Sequence, residues 1–146
     1  MKKIILAMVA VMVPLMLSAG STDFWFRHFS VEDGLSSSAV RAIMQDKYGF
    51  MWLGTDDGLN RYDGTTIKIY RLNPEGVNDY ISFLYDTTDR IWIGTGDGVY
   101  IYDYETENFE PFKLLTAKGD SIKTNVNHIA EDRDGNLWFS TVGQGI

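Results

Sequence analysis

"MWLGTDDGLNRYDG" spans Met51–Gly64, and "IWIGTGDGVYIYDY" spans Ile91–Tyr104. Both open with a tryptophan flanked by apolar residues, continue through Gly-Thr, and turn on an Asp-Gly pair. A third copy begins at "LWFSTVGQG", Leu137–Gly145. Trp52, Trp92 and Trp138 are therefore spaced by 40 and 46 residues. Asp46, Asp86 and Asp132 stand six residues before them, and Thr55, Thr95 and Thr141 stand three after. Gly54 and Gly94 precede the first two threonines, and the first two copies stay in step through Gly58/Gly98, Tyr62/Tyr102 and Asp63/Asp103. The third copy slips by one residue at "VGQG".

A period of this length carried by short strand-like runs predicts propeller blades or a related β-array. Alternation and turn residues divide the first unit into strands at 40–45, 51–55, 59–62 and 66–70. The second unit divides at 80–85, 91–95, 99–102 and 108–112, and the third offers 126–131 and 137–141. The turns "DKYG", "DDG" and "DGT" use residues that reverse a chain at low steric cost. "SSSAVRAIMQ" could be read as a helix, but its partner "DYISFLYD" is strand-like. The expected fold is all-β, with four-stranded antiparallel blades at about 40–70, 80–112 and 126–146, or two and a half blades of an incomplete propeller. One blade cannot bury both its faces alone, so each tryptophan is expected to pack in the seam with its neighbour, where Gly-Thr allows close approach. The structural repeat set is Asp46, Trp52, Gly54, Thr55, Gly58, Asp86, Trp92, Gly94, Thr95, Gly98, Asp132, Trp138 and Thr141.

The composition narrows the function. The 146 residues carry a formal charge of −7, or −9 once residues 1–20 are set aside. An acidic surface repels phosphate backbones, so nucleic acid is not an expected partner. The absence of cysteine removes disulfides, thiolate metal sites and a lipoprotein anchor. "MKK", the uncharged run 4–17 and the small residues "SAGS" have the layout of a secretory signal peptide over 1–20. The rival reading is an uncleaved signal anchor, although the apolar run is shorter than the ~20 residues of a spanning helix.

"FRHFSVEDGLSSSAVRAIMQDKYGFMWLGTDDGLNRYDG", Phe26–Gly64, resembles the start of the periplasmic sensor of a hybrid two-component system, and the repeats resemble the two-component regulator propeller repeat. The resemblance extends over 24–146. It implies a parent with further blades, an immunoglobulin-like domain, an inner-membrane helix, a histidine kinase and a receiver. It further implies periplasmic sensing of oligosaccharides, regulation of their use, and a homodimeric parent. Residues 23–36 form the lead-in segment, and "DFWFRHF" is expected to add a strand to a blade. Two and a half blades do not close a ring, so the chain is expected to be a fragment of a longer protein or a truncated product.

No enzyme activity, cofactor or metal centre is expected of this chain. "DRDGN" at 132–136 resembles the start of a calcium loop, but Leu137, Trp138 and Phe139 follow where ligands would be needed, and a hairpin turn explains it. The carboxylates fall mostly at turns, with no sign of a glycosidase pair. His28 and His128 lack metal spacing, and Ser36, Ser37 and Ser38 lie in no nucleophile elbow. Tyrosines 62, 70, 80, 85, 100, 102 and 104 could stack on sugars or pack blades. Ligand-binding residues are not identifiable from sequence; the loops 73–79 and 114–125 are the candidates. The alternatives are a periplasmic propeller binding module without a kinase, a propeller lyase or hydrolase, and a non-functional remnant.

Overall fold

The computed structural model describes residues 24–73, 79–121 and 123–145, so the signal-peptide reading lies outside the described residues. Among the described residues ten strands form three antiparallel sheets. β1 (Val40–Gln45), β2 (Met51–Thr55), β3 (Gly58–Tyr62) and β4 (Ile67–Tyr70) make the first sheet in sequential order. β5 (Ile81–Asp86), β6 (Arg90–Thr95), β7 (Gly98–Asp103) and β8 (Asn108–Phe112) make the second. β9 (Val126–Glu131) and β10 (Leu137–Thr141) make a two-stranded third. The chain is all-β, and its sheets are propeller blades. β1 packs on β5 and β5 on β9, so the first strands of the three sheets lie side by side.

Trp52 and Trp92 each face the following sheet. Trp52 is fully buried against Tyr70 of its own sheet and Tyr102 and Phe109 of the second. It joins Leu59, Ile81, Ile91 and Ile93 in the first seam. Trp92 does the same one sheet later, with its ring centroid 5.0 Å from Phe112 and 5.7 Å from Phe139, beside Val126 and Ile129. Trp138 points from the third sheet and is exposed.

The glycines two residues after Trp52 and Trp92 are the sockets of these seams. A Cβ on Gly54 would lie 2.6 Å from Ile81 Cγ2, and one on Gly94 would lie 2.9 Å from the Val126 carbonyl oxygen. Such distances are too short for any side chain at those positions. Ile81 and Val126 are fully buried, whereas Val40, at the same place in β1, is exposed.

Local hydrogen bonds account for the other repeated residues. Asp46 Oδ1 accepts from the Tyr48 and Phe50 amides, both at 2.9 Å, and Oδ2 accepts from Trp52 Nε1 at 2.7 Å. Asp132 does the same for Asp134 N, Asn136 N and Trp138 Nε1, at 2.9, 2.9 and 2.8 Å. Both turns close on a left-handed glycine, Gly49 at φ 89° and Gly135 at φ 83°, which a side chain rarely tolerates. The second sheet differs. Its β5–β6 turn has two residues, closed by Thr87 N to Arg90 O, and Asp86 stands in the ladder opposite Ile91. Asp86 instead accepts from the Tyr104 hydroxyl at 2.9 Å. The threonine hydroxyls clamp the β2–β3 type turns, Thr55 onto Gly58 O and Thr95 onto Gly98 O. Thr141 reaches Gly145 O, one residue further, which is the slip seen in "VGQG".

Residues 24–30 pair with none of the three described sheets, and Phe24, Trp25 and Phe26 are exposed. The lead-in is instead pinned by side chains. Arg27 donates to the Tyr62 hydroxyl at 2.7 Å, and Phe29 packs edge-on to Tyr62. Ser30 caps a single 3-10 turn at Val31–Asp33, ended by Gly34 at φ 106°. Ser36 N then donates to Asn60 Oδ1 at 2.9 Å, and Asn60 Nδ2 donates to Ser36 Oγ at 2.8 Å. These bonds satisfy Asn60, which is fully buried within β3.

Candidate functional site

Strands that each break register at the same point build the site. The ladder slips between Val40 and Ala42 in β1, between Ile81 and Phe83 in β5, and between Val126 and His128 in β9. The unpaired residues are Arg41, Ser82 and Asn127. In a regular strand, a one-residue offset moves a side chain to the opposite face. The bulge therefore lets Ile81 turn back into the Gly54 socket while Phe83 faces the next sheet. The extra residue is left free to point elsewhere, as bulges commonly allow beside binding sites.

Arg41, Ser82 and Asn127 line a concavity of about 560 Å3, together with Tyr80 and Asn125. Arg41 Nε is paired with the Asp56 carboxylate, and this bond raises the guanidinium pKa further. The Arg41 guanidinium carbon lies 5.3 Å from the centre of the Tyr80 ring. Ser82 donates its hydroxyl to the Val126 carbonyl, tying β5 to β9. Asn125 anchors its backbone by accepting from Val142 N at 2.9 Å, while its side-chain oxygen is buried with no hydrogen-bond partner. Asp79, next to Tyr80, accepts from Leu72 N and Asn73 N at 3.1 and 3.2 Å, and burial pushes its pKa up.

Tyr80, just after the first loop singled out from sequence, and Asn125, at the end of the second, line this concavity. The first ends at Asp79–Tyr80, although residues 74–78 lie outside the described residues. The second carries an isolated bridge between Leu115 and Ser121 and ends at Asn125. Of the seven tyrosines, Tyr80 reaches the site. Tyr70 and Tyr102 pack on Trp52, Tyr62 holds the lead-in, and Tyr85 donates to Glu131 at 3.0 Å. Tyr100 lines a separate hollow with Asp97 and Phe112. The His128 ring lies tilted against Phe83, with centroids 4.2 Å apart, and His28 lies in the exposed lead-in. The "DRDGN" carboxylate is spent on its own hairpin: the Trp138 indole, then Asn136 and Asp134, hold the Asp132 pKa down at about 2. Among the described residues no cluster of three or more His, Cys, Asp or Glu side chains could hold a metal ion.

Sequence reasoning missed Arg41, Ser82 and Asn127. They stand eleven, ten and eleven residues before their tryptophans, so the shorter β5–β6 turn puts Ser82 out of step. The usable signal is their variation. Where neighbours repeat, these positions read Arg, Ser and Asn, as expected of groups that do not hold the blades together.

The two component regulator propeller family matches residues 34–57 and 121–143. Each matched segment ends in a β-hairpin or its first strands and includes Thr55 or Thr141, the hydroxyl that clamps the following turn. The chain is similar to "Histidine kinase P4" of Formosa agariphila, 56% identical over 59 residues, which are 40% of this chain and 4% of that protein. In structure it is similar to the extracellular domain assigned to the hybrid two component system BT3049 of B. thetaiotaomicron, with a TM-score of 0.67 and 31% identity over 79% of this chain and 17% of that one. It also shares its fold with the extracellular domain assigned to BT4673 of the same organism, at a TM-score of 0.61 and 22% identity over 83% of this chain and 18% of that one. The chain thus spans a small part of the proteins it matches. Among the described residues no helix is long and apolar enough to cross a membrane.

Proposed function

We propose that this regulator propeller is part of the periplasmic ligand-sensing region of a hybrid two-component sensor whose ligand is an oligosaccharide. The observation that carries the reading is the shared fold, at 31% identity, with the extracellular domain of such a system. The signal-like sequence over 1–20 supports export, and the polar concavity supplies a place for a ligand. The chain's own part is scaffold and ligand face. Further blades and an immunoglobulin-like domain of the same protein, in a homodimer, would complete the sensor. Ligand binding would favour one arrangement of packed domains over another, and that population shift would cross the membrane.

Immunoblotting of fractionated cells with an antibody to residues 60–73 tests this. A membrane-bound species several times larger than 16.6 kDa is expected. A periplasmic species near 16.6 kDa would overturn the assignment to a sensor.

A further inference from the structure

We propose that the concavity bordered by Arg41, Ser82 and Asn127 binds an uncharged, hydroxyl-rich ligand, a neutral saccharide rather than an acidic or sulfated one. This rests on the sensing reading above and adds the place and the ligand class. The size fits: about 560 Å3 lies within the range of small-ligand pockets.

The charge balance decides against an anion. Arg41 is the one formally charged residue of the lining, and Asp56 already neutralises it through Nε. A carboxylate or sulfate approaching the guanidinium would meet the Asp56 carboxylate beside it. Hydrogen bonding favours a hydroxyl-bearing ligand: the Asn125 side-chain oxygen is buried without a donor, which a sugar hydroxyl can supply. Neutral and acidic saccharides share that ability, so the choice between them rests on the Arg41–Asp56 pair. The remaining lining groups are the amides of Asn125 and Asn127 and the hydroxyls of Ser82 and Tyr80. The two amides and the Tyr80 hydroxyl can donate and accept, and Ser82, whose proton goes to the Val126 carbonyl, can accept, which matches a ligand whose hydroxyls do both. The three bulges give the arrangement its reach. They aim one polar side chain from each first strand without loosening the seams, because the Ile81 and Val126 plugs stay seated.

The test is calorimetric titration of the full-length protein with neutral gluco-, manno-, xylo- and galacto-oligosaccharides, and with uronate-bearing and sulfated series of the same lengths. At least one neutral series is expected to bind. Asn125→Ala and Asn127→Ala are each expected to weaken it about ten-fold with an unchanged melting temperature. Asn127 is exposed, so its variant keeps the test valid should Asn125→Ala unfold. Binding of a neutral series that neither variant weakens would overturn the site while leaving saccharide sensing intact. Binding of the acidic series alone would overturn the ligand class. Failure of every series to bind would overturn both this inference and the oligosaccharide reading beneath it.

Discussion

Trp52 and Trp138 donate the same indole hydrogen bond to an aspartate six residues earlier, at 2.7 and 2.8 Å, yet one is fully buried and the other is 54% exposed. The bond is therefore a property of the hairpin and not of the seam. It sets the posture of the ring before a neighbour arrives, and the neighbour adds the burial. Trp92 shows the converse. It is 8% exposed within the second seam, while Asp86 bonds to Tyr104. Posture and burial are separable, and the first sheet has both.

The sharpest way to break this comparison is to truncate the two rings. Trp52→Ala should cost about 3–5 kcal/mol in chemical denaturation, as for a large buried aromatic. Trp138→Ala should cost about 1 kcal/mol or less, as for a half-exposed residue. Equal losses would mean that Trp138 is covered in solution. A second test concerns the sockets. Gly54→Ala and Gly94→Ala should each cost about 1–3 kcal/mol through overpacking. Adding Ile81→Ala should return part of the Gly54 loss, since the nearest obstacle there is the Ile81 Cγ2 methyl. Adding Val126→Ala should return none of the Gly94 loss, since the obstacle is a carbonyl oxygen. Next comes the aspartate. Asp46→Ala leaves the buried Trp52 N–H without an acceptor and should cost about 1–3 kcal/mol. Asp132→Ala should cost less, because water replaces the lost acceptor at an exposed ring.

The smallest effect is the pH dependence of the exposed turns. The Asp132 pKa is lowered from 3.8 to about 2, first by the Trp138 indole, and those of Asp63 and Asp103 are lowered first by the amides of Thr66 and Thr106. A lowered folded pKa adds stability that is fully present above the unfolded value and is lost as pH falls through the folded one. The melting temperature should therefore decline as pH drops from about 4 to about 2. Asp132→Asn should make that decline shallower.

The all-β class and blade architecture were legible because packing between blades demands the same residues each time: a ring, a socket and a turn. Trp52, Gly54 and Thr55 announce themselves by recurring. The register of β5 did not, since Asp86 keeps the spacing of Asp46 while the shorter turn shifts it into the ladder. The bulges were hidden for a related reason. An unpaired residue inside a strand has no composition of its own, and Arg41, Ser82 and Asn127 share no chemistry that a repeat would display. How the lead-in attaches was not legible, because it depends on a distant residue, Asn60, whose burial no local pattern reveals.

The plug-and-socket seam has one more consequence. The first two sheets carry the Gly54 and Gly94 sockets on one side, and the second and third carry the Ile81 and Val126 plugs on the other, so the contact is directional, like a link in a chain. Head-to-tail contacts of this kind specify the next unit and not the total. Duplicating or deleting one whole unit in the gene would leave every remaining joint matched. The number of blades is thereby free to change in evolution by recombination, while each inserted unit brings its own bulged residue to the row of first strands and so alters what that row can bind.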